Sequence, residues 1–174
     1  MKLFCNKKKV NNKIKALYTS FNFANKNENL ELVFVGIMKG GLYTMFKFMD
    51  GIDRPYEYGF VNYQTYQDGL SPYCNPELMG NFLPEVKEKH VVIIDDIIDT
   101  GKTMEAAYYY IKLLGAEKIS IVTLLARKGL TKKYDSFYYG FMVDKGQFAV
   151  GCGMGLGEKY RNLSSIYILE DEDI

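Results

Sequence analysis

Runs of apolar residues alternate with amphipathic segments through the middle of the chain. Residues 32–37, 91–94 and 118–125 are rich in valine, isoleucine and leucine, which predicts strands buried on both faces of a parallel sheet. Between these runs, apolar residues recur at helical spacing in residues 42–49 and 104–114. This alternation predicts an α/β fold with an open, mainly parallel sheet flanked by helices.

The pattern changes towards the two ends of the chain and in one internal segment. Residues 1–30 are polar, and one amphipathic helix is indicated there by apolar residues at helical spacing, namely Val10, Ile14, Leu17, Tyr18 and Phe21. Residues 56–63, 137–143 and 165–169 predict further strands. Residues 64–89 contain Gly and Pro and predict a long irregular loop, which we interpret as a functional lid because such loops are otherwise uncommon.

Size and composition favour a single domain, residues 1–174, in the cytoplasm. The net charge of +1 implies no general attraction to nucleic acid or to a membrane surface. Cys5, Cys74 and Cys152 have no metal-ligand spacing and are expected to be reduced thiols. No segment approaches the roughly 20 apolar residues that span a bilayer, and no signal peptide is evident.

Residues 91–103 combine a buried strand with an anion-binding turn. Four apolar residues lead into Asp95 and Asp96, and the polar residues that follow are Asp99, Thr100, Gly101, Lys102 and Thr103. Gly101 permits a tight turn, and a helix N-terminus just after it directs free N–H groups and the helix dipole at one point. Adjacent carboxylates repel each other, so a cation or diol hydroxyls would stabilise them. A ligand with both a polyol and a phosphate would satisfy this segment.

Two familiar nucleotide-binding motifs do not match this segment. A Walker A loop requires glycine where this chain has Asp96. The Gly-x-Gly-x-x-Gly fingerprint of dinucleotide-binding folds is absent. A plain solvated loop would also use Asp and Thr, but rarely in this arrangement.

A second glycine-rich turn follows the first core strand. Here Met38 and Lys39 precede Gly40 and Gly41, and the helical pattern begins directly afterwards. The glycines allow the backbone to approach an anion closely, and Lys39 adds positive charge. Alone the motif is weak, because ordinary strand-to-helix turns use the same residues. Since both turns lie at carboxyl ends of parallel strands, we expect them in one crevice.

Residues 91–103 resemble the signature that binds 5-phosphoribosyl-1-pyrophosphate (PRPP) in type I phosphoribosyltransferases, most closely the hypoxanthine-guanine enzymes. All thirteen positions fit without a gap. The resemblance extends over residues 32–170. It implies a core of about residues 32–143 and a hood, the small subdomain over the base site, from residues 1–30 and 144–170. It also implies that Lys39 and Gly40 contact pyrophosphate, with a Met38–Lys39 peptide bond that is often cis in the family.

The resemblance assigns further residues outside this signature. Phe148 aligns with the aromatic residue that stacks on the purine, and Ala149 follows it in the base site. Arg161, in a Tyr-Arg-Asn-Leu sequence, aligns with an arginine that helps to bind pyrophosphate. Thr65 and Tyr66 match the Ser-Tyr pair of the family's lid, although the preceding basic residue is missing.

Two departures concern the base and the metal. The family's lysine for the 6-oxo group of the purine lies 21 residues before the stacking aromatic; Arg127 holds that position here, with Lys128 beside it. The family's metal-organising acid, seven residues after the aromatic, is replaced by Gly155. The corresponding magnesium site is therefore either lost or completed by Glu158 and water.

The implied activity is transfer of the phosphoribosyl group from PRPP to hypoxanthine or guanine, giving a nucleoside monophosphate and pyrophosphate. In this interpretation Asp95 and Asp96 bind the ribose hydroxyls and Mg²⁺, residues 99–103 hold the 5-phosphate, and Asp99 is the general base. The cofactor is Mg²⁺. By analogy we expect a homodimer or homotetramer, with neither membrane nor nucleic acid as a partner.

Three alternatives stay open at this stage. The acceptor could be xanthine or a pyrimidine, because Arg is not geometrically equivalent to Lys. Gly155 would fit a PRPP-sensing regulator that has lost the transfer reaction. Residues 7–9, all lysine, would fit an RNA-binding attenuator on the same fold, although the near-neutral charge speaks against it.

Overall fold

The structure, a computed structural model, describes residues 1–64, 76–130, 134 and 136–173. Strands and helices alternate through its middle as the apolar pattern predicts. In chain order the elements are β1 Lys2–Cys5, α1 Lys7–Ala24, β2 Leu32–Met38, α2 Gly41–Met49, β3 Tyr56–Gln64, β4 Glu77–Phe82, β5 His90–Ile98, α3 Lys102–Leu113, β6 Lys118–Arg127, β7 Phe137–Val143, β8 Phe148–Val150 and β9 Ile166–Leu169, followed by a 3₁₀ turn at Asp171–Asp173.

Six strands form the central sheet in the order β4-β3-β2-β5-β6-β7. All neighbouring pairs are parallel except β3 and β4, so the predicted mainly parallel sheet is confirmed. One apolar cluster, on one face, contains residues of α1 and α2, and a second cluster contains residues of α3. Along β5, Val92 and Ile94 belong to the first cluster and Val91 and Ile93 to the second. This two-residue period buries the strand on both faces.

The hood is a separate three-stranded antiparallel sheet in the order β1-β9-β8. Lys2 pairs with Ile168, and Ala149 pairs with the same residue from the other side. The two ends of the chain therefore meet in one sheet, as the resemblance implies. The helix α1, which follows β1 in the chain, packs against α2 and β7.

Three details of the sequence prediction are wrong. Residues 64–89 are not one irregular loop, because Glu77–Phe82 pairs with β3 as the edge strand of the central sheet. Residues 2–5 form a strand that the polar N-terminal pattern did not indicate. The central strand does not end before the acids: β5 continues through Asp95 and Asp96 to Ile98. Edge and hood strands have one exposed face and distant partners, so their local sequence carries little strand signal.

None of the helices in the described ranges is long and apolar enough to cross a membrane.

Candidate functional site

Three strands of the central sheet end at one crevice, and predicted site residues lie at the end of each strand or directly after it. Lys39 and Gly40 follow β2, residues 99–103 follow β5, and Arg127 is the last residue of β6. Because β2, β5 and β6 are parallel neighbours, their carboxyl ends lie side by side. The structure thus brings the two predicted turns together at the expected edge.

Asp95 and Asp96 are buried carboxylates, with 8% and 9% of their surfaces exposed. The backbone N–H of Asp96 donates to Oδ1 of Asp95 at 2.9 Å, and that of Ile97 donates to Oδ1 of Asp96 at 2.7 Å. Burial, and then the charge of Asp96, raise the pKa of Asp95 well above its ordinary value. Burial also raises the pKa of Asp96, against the opposing effect of Arg161. Ionisation of these two carboxyls is therefore unfavourable in the fold, and a cation or hydroxyl groups of a ligand would stabilise their charged forms.

The glycine-rich turn after β2 lies directly against Asp96. A Cβ atom at Gly40 would be 1.8 Å from Oδ2 of Asp96, so any side chain there would displace the carboxylate. On the other side, a Cβ atom at Gly153 of the hood would be 2.2 Å from the carbonyl oxygen of Gly40. Gly153 has a φ of +97°, which only glycine adopts easily. The sequence did not single out Gly153, because its role depends on a contact across the fold.

The turn after β5, which the sequence predicts to be a phosphate cradle, is a tight turn at a helix N-terminus. Gly101 has a φ of +83°, and α3 begins at the next residue. At the start of this helix the N–H of Lys102 donates to Oγ1 of Thr100 at 3.4 Å, and the N–H of Glu105 donates to the carbonyl oxygen of Gly101 at 2.9 Å. A pocket of about 80 Å³ lies here, lined by Asp95, Ile97, Ile98, Asp99, Thr100, Gly101, Thr103 and Met104. Donors, hydroxyl groups and the positive end of the helix dipole suit a phosphate.

The predicted pyrophosphate residues meet on the hood side of the crevice. The Met38–Lys39 peptide bond is cis, as the resemblance implied. The Lys39 ammonium bonds to Oε1 of Glu158 at 2.8 Å, and Oε2 of Glu158 is 3.7 Å from Nε of Arg161. Arg161 also donates to the carbonyl oxygens of Gly153, at 2.8 Å, and Gly157, at 3.0 Å. The two cations are therefore adjacent and share one carboxylate.

The position of the family's metal-organising acid has no room for a side chain. A Cβ atom at Gly155 would be 2.7 Å from the Lys159 carbonyl oxygen and 2.9 Å from Cγ of Arg161. Glu158 supplies the carboxylate of this region instead, from between Lys39 and Arg161.

The predicted base-binding residues lie at the end of β6 and at the start of β8. Phe148 is 40% exposed, whereas Ala149 is buried. Arg127 bonds to the Asp99 carboxylate at 2.7 Å and to two backbone carbonyls of the turn before Phe148. Lys128 pairs with the side chain of Asp144 at 2.6 Å. The sequence did not reveal these partners of Arg127. Thr65 and Tyr66, the predicted lid pair, lie outside the described residues.

The two buried acids fit a magnesium ion that is shared with a substrate. Among the described residues no group of three or more His, Cys, Asp or Glu side chains could hold a metal ion. Mg²⁺ commonly takes only one or two protein carboxylates and completes its shell with phosphate oxygens and water. Asp95 and Asp96 are adjacent buried carboxyl groups that supply oxygen ligands, and they meet that requirement.

The sequence is similar to those of known phosphoribosyltransferases. Residues 7–154 match the family described as phosphoribosyl transferase domain. A hypoxanthine-guanine phosphoribosyltransferase of Streptococcus pneumoniae is 30% identical over 151 residues, which cover 86% of this chain and 81% of that protein. The bifunctional protein TilS/HprT of Listeria monocytogenes is 32% identical over 139 residues, which cover 79% of this chain and 21% of that protein. The chain therefore spans about a fifth of the length of that bifunctional relative.

The fold is similar as well. A crystal structure of a hypoxanthine phosphoribosyltransferase from Staphylococcus aureus superposes with a TM-score of 0.87 at 26% sequence identity. The superposition covers 99% of this chain and 92% of the other. The central sheet and the hood thus have a counterpart in one known architecture.

Proposed function

This chain belongs to the phosphoribosyltransferase family, and we propose that it transfers the 5-phosphoribosyl group of PRPP to a purine base in purine salvage. The products are a nucleoside monophosphate and pyrophosphate, and hypoxanthine and guanine are the favoured acceptors. One observation carries the proposal: the buried carboxylate of Asp96 lies against the Gly40 turn, and its neighbour Asp95 lines the pocket at the turn after β5. A single crevice can therefore receive the pyrophosphate, the ribose and the 5-phosphate of one substrate.

The chain's own residues would act mainly by positioning and electrostatics. Asp95 and Asp96 bind the ribose hydroxyls, and the turn of residues 99–103, including Thr100, Lys102 and Thr103, holds the 5-phosphate. Lys39, the backbone of Gly40 and Arg161 bind the pyrophosphate as its bond to C1 of the ribose weakens. Glu158 must leave Lys39 when the pyrophosphate arrives.

On the base side, Phe148 stacks on the purine ring, with Ala149 beside it. Asp99 lies at the start of the cradle and is 63% exposed in its side chain. There it can take the proton from the imidazole nitrogen of the purine as that nitrogen bonds to C1. Asp95 and Asp96 would hold Mg²⁺, which would supply positive charge against the negative charge that develops on the pyrophosphate.

The choice of acceptor base is supported separately from PRPP binding. The names of the relatives favour hypoxanthine and guanine, whose 6-oxo group is an acceptor that Arg127 or Lys128 could bind. Both side chains are donors only, so neither would complement the 6-amino group of adenine.

We also propose a homo-oligomer in the cytoplasm. Aromatic side chains on the edge of the sheet and on α2 are exposed, among them Phe46 at 47%, Tyr58 at 47% and Phe82 at 75%. Phe46 and Tyr58 pack edge to face. Exposed aromatic surface of this kind favours association with a second copy. The cytoplasmic location rests on the expected reduced state of the cysteines.

The test is a panel of acceptor bases supplied with PRPP and Mg²⁺, monitored by pyrophosphate release. We expect turnover with hypoxanthine or guanine and little with adenine, xanthine or uracil. Turnover with another base would identify that base as the acceptor. If PRPP binds but no base leads to pyrophosphate release, the non-catalytic regulator is favoured.

The same assay tests Asp99. The variant Asp99→Asn keeps the shape of the side chain but cannot accept a proton, and we expect its kcat to fall about 10²-fold or more. Turnover at the wild-type level would show that Asp99 is not the general base.

A further inference from the structure

We infer that Arg127 is a positioning residue that fixes the general base and the base-stacking segment relative to each other. The inference rests on the proposed function, because it assigns Arg127 a task in the binding and activation of the purine. The resemblance implies a lysine at this position, whose task is to bind the base. The arginine of this chain is engaged in a different way.

Three nitrogens of the Arg127 guanidinium each bond to a different acceptor. Nε donates to Oδ1 of Asp99 at 2.7 Å, Nη1 donates to the carbonyl oxygen of Asp144 at 2.5 Å, and Nη2 donates to that of Gln147 at 2.8 Å. The Arg127 side chain is only 13% exposed, whereas the side chain of Asp99 is 63% exposed. One side chain thus joins the end of β5 to the turn between β7 and β8.

Each of these bonds has a consequence for the base site. Asp99 is mostly exposed, and its carboxylate would be free to rotate without a partner. With Oδ1 held by Arg127, Oδ2 is left to accept the purine N–H. Gln147 immediately precedes Phe148, so the bond to its carbonyl oxygen sets where the stacking ring stands.

The turn itself depends on the same contact. Within it, the N–H of Gln147 donates to the carbonyl oxygen of Asp144 at 3.3 Å, and the N–H of Asp144 donates to Oε1 of Gln147 at 3.0 Å. Gly146 has a φ of +87° and allows the chain to reverse. This is a short, exposed turn with few internal bonds, and the guanidinium adds two from a half-buried position.

Only arginine can make this arrangement. Its planar fork presents N–H groups in fixed, separate directions, whereas lysine has one ammonium nitrogen at the end of a flexible chain. A lysine could pair with Asp99 or bond to the turn, but it could not hold both in register. The departure from the family at Arg127 is therefore a change of mechanism for positioning the base.

Two variants separate the two halves of this role. In Arg127→Ala, both Asp99 and the turn lose their partner, so we expect kcat to fall about 10–100-fold and KM for the base to rise about 10-fold. In Arg127→Lys, the positive charge beside Asp99 is restored, so kcat recovers most of that loss while KM for the base stays high. KM for PRPP should change little in either variant. Millimolar guanidinium chloride should restore part of the kcat of Arg127→Ala.

A neighbouring lysine provides the control. Lys145→Ala removes one positive charge from the same turn without touching the three bonds of Arg127, and it should keep the wild-type kcat and KM. If Lys145→Ala matches Arg127→Ala, the effect is one of general charge and the inference is wrong. Equal loss of kcat and equal rise of KM in Arg127→Lys and Arg127→Ala would also overturn it, since arginine would then act as a simple base ligand.

The inference can fail independently of the proposed function. If the wild-type protein releases no pyrophosphate with any base, the proposed function fails first. If the wild type is active and Arg127→Ala shows normal kcat and KM, only the role of Arg127 is wrong. Should Arg127→Ala not fold, hydrogen exchange of Arg127→Lys decides: faster exchange of the Gln147 and Phe148 amides than in the wild type supports the inference, and unchanged exchange contradicts it.

Discussion

At the scale of single residues, the ionised carboxylate of Asp95 serves the proposed function but lowers the stability of the fold. Burial and the neighbouring Asp96 raise the pKa of this carboxyl, so the ionised form is less favourable in the fold than in the unfolded chain. Its contribution to stability therefore declines as the pH rises above the unfolded value near 3.8. A ligand that compensates the charge would recover that free energy on binding.

We predict that Asp95→Asn is more stable than the wild type and nearly inactive. The amide keeps the shape of the side chain and an oxygen for the N–H of Asp96, but it carries no charge. At pH 7 we expect the free energy of unfolding to rise by about 1 kcal/mol or more, measured by urea denaturation. The advantage should shrink at pH 4, where the wild-type carboxyl is protonated more readily.

The control for this prediction is an acid on the surface. Asp50 has a side chain that is 74% exposed and lies 4.0 Å from the ammonium of Lys47. Because exposed ion pairs contribute little, Asp50→Asn should leave the free energy of unfolding almost unchanged. An Asp95→Asn variant that is less stable than the wild type would show that the fold stabilises this charge.

The site residues that could be predicted from the sequence are those whose proposed roles depend on their immediate neighbours in the chain. Asp95, Asp99 and Gly101 belong to one contiguous segment whose chemistry can be read directly. Gly153 and the bonds of Arg127 could not be predicted in the same way. Their roles arise from contacts with Gly40 and with the turn before Phe148, which only the folded chain brings within reach.

At the scale of elements, the glycine-rich loop of the hood, residues 151–157, holds Arg161. Two of its carbonyl oxygens accept bonds from the guanidinium, and Gly155 leaves the space that Cγ of Arg161 fills. The space that the family's acidic side chain would need at position 155 is thus occupied by the side chain of Arg161.

We predict that Gly155→Ala displaces Arg161. The new methyl group would overlap the Lys159 carbonyl oxygen and the arginine side chain, so we expect a loss of about 1–3 kcal/mol in the free energy of unfolding. Weaker binding of pyrophosphate, measured by calorimetric titration, should accompany it. Gly80→Ala is the matched control, because a Cβ atom there meets nothing within 4 Å. Unchanged pyrophosphate affinity in Gly155→Ala would remove Arg161 from the site.

Elements differ in how well their sequence predicts them. β2, β5 and β6 are apolar on both faces, so a short window of sequence identifies them. β1 and β4 are largely exposed, and each is a strand because of the partner it pairs with. The partner of β1 is β9, which lies far away in the chain, and the partner of β4 is β3, from which a long connection separates it. Their pairing is a property of the assembled sheet.

At the scale of the whole molecule, the two ends of the parallel sheet have different tasks. The carboxyl end carries the buried acids of the site, Asp95 and Asp96. The amino end carries His90, which is fully buried at the start of β5 and shares a hydrogen bond of 2.8 Å between Nε2 and the hydroxyl oxygen of Ser120. Lys118, nearby, pairs with Glu28 at 2.9 Å and joins β6 to the segment after α1. These contacts lie at the end of the sheet that takes no part in the proposed reaction.

Because His90 lies at the amino end and the two buried acids at the carboxyl end, the two ends of the sheet respond differently to a fall in pH. Burial lowers the pKa of His90 from 6.5 to about 4, so the folded protein keeps this imidazole neutral where the unfolded chain protonates it. Because the unfolded state then binds more protons, stability falls as the pH drops from about 6.5 towards 4. For His90 alone the loss between pH 7 and pH 5 is about 2 kcal/mol. Asp95 and Asp96 change stability in the opposite direction over this range.

Comparison with His90→Gln isolates the histidine. Glutamine can keep a hydrogen bond to Ser120 and does not titrate, so the variant retains the acids' contribution and loses that of His90. In urea denaturation between pH 7 and pH 5, the wild type should lose about 2 kcal/mol more than the variant. Parallel pH profiles would mean that His90 is as easily protonated in the fold as in the unfolded chain. Divergence of the predicted sign would place the acid sensitivity of the whole fold at the end of the sheet opposite the site.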